Sequence, residues 1–291
     1  MVQTKIIMKS IKTLILSVAA ILAASLAVAQ DGAPEGFSFE WSRKAMDGRR
    51  AGIIPVTAEN VATALGHFDG ETYVAPNGRK FKKGCTPAVA KLLIDAQPGM
   101  ARVKEVIGHS PEVMLCGSPE SAISDWFIDC LMDETEKLTG KKVDIGFANH
   151  GGIRIDMPKG DILLDHILSM FPFRNYPCYV ALKGKDIRPI INRMAEHPSL
   201  MGCGGIRLVF KDGKVVSATV DGKPLDDNKV YGVATNNFLL NGGDGFSIAR
   251  NAKEVIITDV QIKEFMVDYI RNLTAEGKEV SYKADGRITV E

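Results

Sequence analysis

From residue 118 onward, the sequence alternates helix-like and strand-like segments, and this alternation restricts the chain to folds that mix helices with sheets. Ser118-Pro119 predicts the start of a helix that ends at Gly140, because proline favours a first helical turn and glycine favours the position after the last. A strand of buried type follows, from Val143 to Ala148. Further periodic segments predict helices over 161–170 and 186–195 and strands over 179–182 and 230–240.

The C-terminal third adds a hairpin and a capped helix. The segments "IRLVF" and "KVVSATV" flank Lys211-Asp212-Gly213, which is a strong turn signal. Thr258 and Gln261 predict a capping box for an amphipathic helix that ends at Gly277, and "RITV" predicts a last strand. Together these segments indicate an α+β (mixed α/β) domain without internal repeats.

The N-terminus has the pattern of a secretory signal peptide. Residues 1–29 hold three lysines and no acidic residue, with an apolar stretch from Leu14 to Leu26 and then Ala27-Val28-Ala29 before Gln30. This pattern predicts cleavage after residue 29 and a periplasmic or secreted protein. An uncleaved anchor is the alternative, although the apolar stretch is short for crossing a bilayer.

Charge and cysteine content exclude some classes of function. Without the leader the chain has 33 basic and 35 acidic residues, a net charge of about −2, which argues against a nucleic-acid partner or a membrane-surface partner. The five cysteines are scattered, odd in number and without zinc-ligand spacing. They predict buried small apolar residues with room for one disulfide, and at least one cysteine that stays unpaired or pairs with another chain.

Residues 30–111 form an N-terminal extension to which we assign no role. They carry turn signals at Asp69-Gly70 and Pro76-Asn77-Gly78 and one predicted helix that begins at Thr86-Pro87. No pattern of catalytic or ligand-binding residues occurs there.

Two glycine loops are the first candidates for a binding site. In "NHGGIR", Gly151 and Gly152 expose main-chain N–H groups beside the amide of Asn149 and the guanidinium of Arg154. Paired glycines allow close approach of a ligand, and arginine offers a planar fork for anions or a base edge. The alternative is a tight turn with Arg154 in a surface ion pair.

The second loop is "NGGDGF", which follows the predicted strand 230–240. Gly242, Gly243 and Gly245 leave Asp244 on a bare turn, where its carboxylate can accept both hydroxyls of a vicinal diol such as a ribose. A plain turn is the alternative.

Two phenylalanines accompany these loops. Phe173 lies in "FPFRNYP", between Pro172 and Asn175, and Phe238 comes just before the second loop. A lone phenylalanine is usually a core residue, but two rings beside two glycine turns can clamp a flat heterocycle.

These motifs resemble the C-terminal domain of the periplasmic and ectocellular 5'-nucleotidases. The resemblance is carried by "NHGGIR", "PFRN" and "ATNNFLLNGGDGF", which occur in the same order and at similar intervals. It covers about residues 112–291 and implies layered sheets flanked by helices.

The resemblance also implies roles for individual residues. Phe173 and Phe238 would sandwich the base, Asn149 would touch the base, and Asp244 would bind the ribose hydroxyls. Arg154 would contact phosphate or sugar. The remaining implied substrate-binding residues come from the same motifs: Gly151, Gly152, Asn175, Gly242 and Gly243.

Two departures from the family pattern qualify this expectation. Members usually carry one or two arginines ahead of the glutamate that matches Glu120, whereas this chain has Gly117, Ser118 and Pro119 there. The dimetal motifs of the family's N-terminal phosphatase domain are also missing. We therefore expect no cofactor, metal ligand or catalytic residue in this chain, and divalent metals only in a partner phosphatase.

The sequence thus predicts the nucleotide- or nucleoside-binding half of a split periplasmic 5'-nucleotidase, which a separate metallophosphatase subunit completes. Whether the chain is an enzyme by itself stays open, and we expect it to be inactive alone. The alternative is a periplasmic nucleoside- or nucleotide-binding protein without enzymatic activity. An independent hydrolase that uses Glu120 or His150 is disfavoured, because no nucleophile and base form a recognisable pair.

Overall fold

A computed structural model describes residues 63–291, and a five-stranded mixed sheet lies at its centre. Residues 1–62 lie outside the described residues, and so does the predicted signal peptide. The strands are β1 (His67–Asp69), β2 (Thr72–Val74), β3 (Lys80–Phe81), β4 (Val106–Ser110), β5 (Ile145–Asn149), β6 (Gly160–Leu163), β7 (Pro177–Lys183), β8 (Met201–Gly204), β9 (Ile206–Lys211), β10 (Lys214–Val220), β11 (Lys223–Pro224), β12 (Val230–Asn236), β13 (Glu254–Ile257) and β14 (Ile288–Val290). The α-helices are α1 (Cys85–Ala96), α2 (Ala122–Thr139), α3 (Leu164–Met170), α4 (Gly184–Glu196), α5 (Asn237–Leu240) and α6 (Ile262–Ala275).

The central sheet has the strand order β13-β7-β12-β5-β8. Strand β12 runs parallel to β5, with Val233 opposite Ile145. It runs antiparallel to β7 on its other side, with Asn236 opposite Pro177. The carboxyl ends of β5 and β12 and the amino end of β7 therefore meet at one edge of the sheet.

Both faces of the central sheet are covered, which explains the continuous apolar runs in its strands. On β7, Tyr179 and Ala181 face a core built with α2, α3 and α6. Val180 and Leu182 face a second core built with α4 and the second sheet, whose order is β11-β10-β9-β14. Successive side chains of a strand point to opposite faces, so one strand contributes to both cores.

The N-terminal part of the described chain is a small sheet, β1-β2-β3, together with α1. Helix α1 matches the predicted one but leaves Val89 and Leu92 exposed. Strand β4 then pairs with β6, with His109 opposite Asp161.

The predicted mixed α/β fold is confirmed, and several elements match closely. The hairpin β9–β10 turns at Asp212 and Gly213, which both adopt positive φ, 49° and 70°. That conformation is the one an Asp-Gly turn favours.

Four predicted boundaries are wrong. Residues 161–163 belong to strand β6, not to a helix, because they pair with β4. Helix α2 begins at a capping box of Ser121 and Ser124, not at Ser118-Pro119. The strand predicted over 230–240 ends at Asn236, whose side chain caps α5. The capping box of α6 joins Gln261 with Glu264, not with Thr258.

The C-terminal strand is tied to α2 by a buried ionic network around Arg287. Its guanidinium donates two hydrogen bonds of 2.7 Å to the carboxylate of Asp129 and lies 3.5 Å from Asp125. Glu120 accepts hydrogen bonds from the main-chain N–H groups of Gly286 and Ile288, at 2.7 and 2.9 Å. Because the charge of Arg287 is paired with that of Asp129, the network holds the C-terminal strand against helix α2, which supports the central sheet.

The five cysteines all lie in the described part of the chain and form no disulfide there. Cys130, Cys178 and Cys203 are buried, as predicted for apolar core residues, whereas Cys85 and Cys116 are exposed and the prediction is wrong for these two. Among the helices of residues 63–291, none combines the length and the apolar character needed to cross a bilayer.

Candidate functional site

The two glycine loops predicted to bind a ligand leave the central sheet side by side. Loop 149–154 follows β5, and the loop that contains Asp244 follows β12 and the short helix α5. Since β5 and β12 are parallel neighbours, their carboxyl ends lie at the same edge. Phe173 precedes β7, whose amino end adjoins the carboxyl end of β12, so it belongs to this edge too.

The first loop is held by a buried pair of asparagines. Asn236 donates from Nδ2 to Oδ1 of Asn149 over 3.1 Å, and Asn149 is 7% exposed. Gly152 packs on this amide, since a Cβ there would lie 3.3 Å from Asn149 Oδ1. The amide of Asn149 is thus fixed in place, with the exposed main chain of Gly151 beside it.

Arg154 is exposed and stays close to the same loop. Its Nη1 donates to the carbonyl of Gly151 over 3.1 Å, and its guanidinium lies 5.9 Å from the ring centroid of Phe173. This main-chain carbonyl is the acceptor of its guanidinium, and no carboxylate among the described residues forms an ion pair with Arg154. Its charge therefore remains available to an anionic group.

Both phenylalanines predicted to sandwich a base are exposed. Phe173 is 46% exposed and Phe238 is 40% exposed, although phenylalanine is usually buried. Phe238 rests on Gly243, where a Cβ would lie 2.4 Å from its ring. A small cavity beside Phe173 is also lined by Gly152, Asn175 and Asn236. Asn175 additionally accepts a main-chain hydrogen bond from Ile262 of α6, at 2.8 Å.

The second loop presents an exposed carboxylate on a strained turn. Gly242 and Gly245 adopt φ values of 91° and 72°, and Asp244 itself has φ 52°, which is uncommon for a residue with a side chain. Within residues 63–291, no group donates a hydrogen bond to the Asp244 carboxylate. Its carbonyl accepts two hydrogen bonds from Arg193 of α4, at 3.2 and 2.8 Å.

Three residues of this site have no counterpart in the sequence prediction: Asn236, Asn237 and Arg193. Asn236 caps α5, and an asparagine before a short apolar turn is a usable local signal for such a cap. Asn237 accepts the main-chain N–H of Tyr176 through Oδ1 at 2.8 Å and so joins the loop of Phe173 to α5. Arg193 lies 51 residues before Asp244, and no local pattern indicates their contact.

The described residues do not fit a dimetal phosphatase centre. The carboxylates of Glu120, Asp125 and Asp285 come close enough to share a cation, but this group includes no histidine. The guanidinium of Arg287 already lies 3.0 Å from Asp285 and 3.5 Å from Asp125. A buried positive charge in that position opposes a metal ion.

Comparison with known proteins assigns the family. The sequence model described as "5'-nucleotidase, C-terminal domain" matches residues 100–251, which is just over half of the chain. The chain belongs to this family. The family agrees with the mixed fold and with the motifs at the sheet edge.

Curated relatives of this nucleotidase-family chain are much longer than the matched part. Cell wall protein Lmo0130 of Listeria monocytogenes is 29% identical over 213 residues, which are 67% of this chain and 27% of that protein. Protein UshA of Escherichia coli K12 is 30% identical over 132 residues, 44% of this chain and 24% of UshA. The matched parts thus span only about a quarter of these two relatives.

Solved structures support the same family. The 5'-nucleotidase precursor of Thermus thermophilus superposes with a TM-score of 0.61 at 30% identity, over 70% of this chain and 43% of that protein. The NAD nucleotidase NadN of Haemophilus influenzae has a TM-score of 0.54 at 16% identity, over 76% of this chain and 48% of NadN. The second likeness concerns the fold alone.

Proposed function

We propose that this chain is the nucleotide- or nucleoside-binding component of a 5'-nucleotidase whose phosphatase is a separate metal-dependent subunit. The observation that carries the proposal is topological: the segments that hold exposed Phe173, exposed Phe238 and exposed Asp244 adjoin the same edge of the central sheet. The positive φ of Asp244 carries a cost in backbone strain, and such strain clusters at ligand-binding turns, which favours a role in binding.

Each of these groups suits one part of a nucleoside. A base between the two rings would gain about 1–3 kcal/mol of stacking, as bases do on aromatic side chains. The carboxylate of Asp244 would accept hydrogen bonds from the two ribose hydroxyls, and charged acceptors form stronger hydrogen bonds than neutral ones. The fixed amide of Asn149 would contact the base edge, and Arg154 would contact phosphate or sugar.

Hydrolysis of the phosphate ester would come from the partner subunit. The described part of this chain offers no fitting set of ligands for two metal ions. Two metals held by histidines and carboxylates are what a phosphatase of this kind uses to activate water. We infer that the partner docks beside the sheet edge, so that the ester of the bound nucleotide reaches its metals.

Two measurements test the proposal. Calorimetry of the chain with adenosine and with AMP, without metal, should give saturable binding that Phe238→Ala weakens. AMP hydrolysis by a dimetal phosphatase from the same source should then rise when the chain is added. A mixture no faster than the phosphatase alone would count against the split enzyme.

A second candidate is a binding protein without an enzymatic role. Two observations favour it. Ser118 and Pro119 stand where the family pattern places arginines that bind phosphate. The carboxylate of Glu120 already accepts hydrogen bonds from two main-chain N–H groups. This candidate predicts tight binding of adenosine, no preference for AMP and no partner-dependent turnover. In either case we propose that the protein is periplasmic or secreted, and sequencing the N-terminus of the mature protein tests cleavage after residue 29.

A further inference from the structure

The main-chain carbonyl of Asp244 is held by an arginine from helix α4. Arg193 donates from Nε and Nη2 to the main-chain carbonyl of Asp244, at 3.2 and 2.8 Å. The same guanidinium lies 5.4 Å from the ring centroid of Phe246, which is buried. One arginine therefore holds the main-chain carbonyl of the exposed residue Asp244.

Among the described residues, no other side chain donates a hydrogen bond to the turn. The main-chain hydrogen bonds of the turn are local. The N–H of Gly245 donates to the carbonyl of Gly242 at 3.1 Å, and the N–H of Phe246 donates to the carbonyl of Gly243 at 3.0 Å. The positive φ of Asp244 is unfavourable for a residue with a Cβ and persists only where surrounding contacts hold it. Arg193 supplies that contact from the well-packed helix α4.

The sequence around the turn accommodates the arginine closely. Gly245 has a φ of 72°, which favours glycine, and a Cβ there would lie 2.5 Å from Arg193 Nη2, so the guanidinium lies directly against this glycine. Arg193 also has no carboxylate partner within residues 63–291. Its side chain is thus committed to the turn, not to a surface ion pair.

We infer that Arg193 is a positioning residue that determines selectivity for ligands carrying a 2',3'-diol. It acts by holding the Asp244 turn in the conformation that aims both carboxylate oxygens at adjacent hydroxyls. This inference rests on the proposed nucleoside-binding function and extends it. Without Arg193, the carboxylate remains but samples orientations in which only one hydroxyl, or none, is bound.

The test compares adenosine with 2',3'-dideoxyadenosine, which keeps the base and lacks both hydroxyls. Wild-type protein should bind adenosine at least roughly tenfold more tightly, as expected for hydrogen bonds to a charged group. Arg193→Gln should bring this ratio below about threefold and leave the affinity for dideoxyadenosine within about twofold. Arg193→Lys, which retains one donor, should restore part of the ratio.

Arg250→Gln is the matched control. Arg250 lines the same cavity of about 330 Å³ behind the turn as Arg193, whereas the hydrogen bonds to the Asp244 carbonyl come from Arg193. The adenosine preference should be unchanged in this variant. In an Asp244→Gly background, which tolerates the positive φ and has no side-chain acceptor, the further change Arg193→Gln should not alter the adenosine preference.

The outcomes separate this inference from the function it rests on. Equal weakening of both ligands by Arg193→Gln, or an unchanged ratio, would overturn the inference while nucleoside binding stands. Failure of the wild-type protein to bind either ligand would overturn the nucleoside-binding function, and the inference with it. If Arg193→Gln does not fold, Arg193→Met keeps an aliphatic stem beside the Phe246 ring and removes every donor, and the same loss of the ratio is expected.

Discussion

Asn236 donates a hydrogen bond to Asn149 across the boundary between two parallel strands, over 3.1 Å and out of contact with solvent. The same Asn236 side chain accepts the main-chain N–H of Leu239 at 3.0 Å and so caps the short helix that carries Phe238. One side chain therefore links the first glycine loop to the element that leads into the second. The two halves of the candidate site are coupled through it.

We expect Asn236→Ala to destabilise the protein and to weaken nucleoside binding. Loss of the cap costs about 1 kcal/mol, and leaving the buried Asn149 amide without its donor costs about 1–3 kcal/mol more. Urea denaturation measures the loss. Asn192→Ala, an exposed asparagine on α4, should change the free energy of unfolding by less than about 0.5 kcal/mol. An equal effect of both changes would contradict the coupling.

Removing either exposed ring should weaken adenosine binding without much loss of stability. We expect Phe173→Ala and Phe238→Ala each to cost about 1–3 kcal/mol of binding free energy, because each ring would stack on one face of the base. Both rings are substantially exposed, so their removal leaves no large core cavity. Calorimetry measures the affinities.

Phe81→Ala is the aromatic control for these two variants, since Phe81 packs near Tyr73 in the small N-terminal sheet. The affinity of the Phe81→Ala variant for adenosine should equal that of the wild type. If Phe173→Ala and Phe238→Ala both bind adenosine with wild-type affinity, the two rings do not stack on the base.

The buried ionic network predicts a pH dependence of stability. Burial raises the pKa of Asp125 to about 8, even though the Arg287 guanidinium opposes the shift, and Glu120 and Asp285 add repulsion to it. The residue is 1% exposed, and its Oδ2 accepts no hydrogen bond among the described residues. The folded state thus holds a proton that the unfolded state releases near pH 4.

Because the folded state binds more protons than the unfolded one between about pH 4 and pH 8, its stability falls as the pH rises through this range and levels off above it. Asp125→Asn should remove this slope and gain about 1 kcal/mol or more at pH 9, since one pKa unit corresponds to about 1.4 kcal/mol. Urea unfolding at pH 5, 7 and 9 measures the difference. If the free energies of unfolding of wild type and variant change with pH in parallel, Asp125 is not the source of the pH dependence.

The fold follows from the sequence where local chemistry decides it. The hairpin at Asp212-Gly213 requires only a turn of the right type, and α6 requires only its apolar stripe and its final glycine. Prediction from the sequence fails where a distant segment of the chain determines the secondary structure. Residues 161–163 carry a helical pattern but become a strand because Val106–Ser110 pairs with them from about 50 residues away.

The candidate site shows the same division. The glycines and Asp244 stand out locally as turn signals, and the two phenylalanines stand out because one follows Pro172 and the other precedes the second glycine loop. Their meeting at one edge depends on β5 and β12 becoming parallel neighbours, which no residue pattern specifies. Arg193 and Asn236 act through contacts 51 and 87 residues away, and only the folded chain reveals them.

Gly243 offers a way to move the ring of Phe238 without removing it. Its φ is not positive, so alanine meets no backbone strain there, but a Cβ would fall 2.4 Å from Phe238 Cε1 and must push the ring aside. We expect Gly243→Ala to weaken adenosine binding by about 1–2 kcal/mol, within the range of one stacking contact. The melting temperature should change little, because Phe238 is exposed and can swing outward.

Gly99→Ala is the control, since Gly99 also lacks a positive φ and a Cβ there meets open space. If the two alanine variants bind adenosine equally well, the position of Phe238 against Gly243 does not matter for binding, and the ring has a role other than stacking on the base.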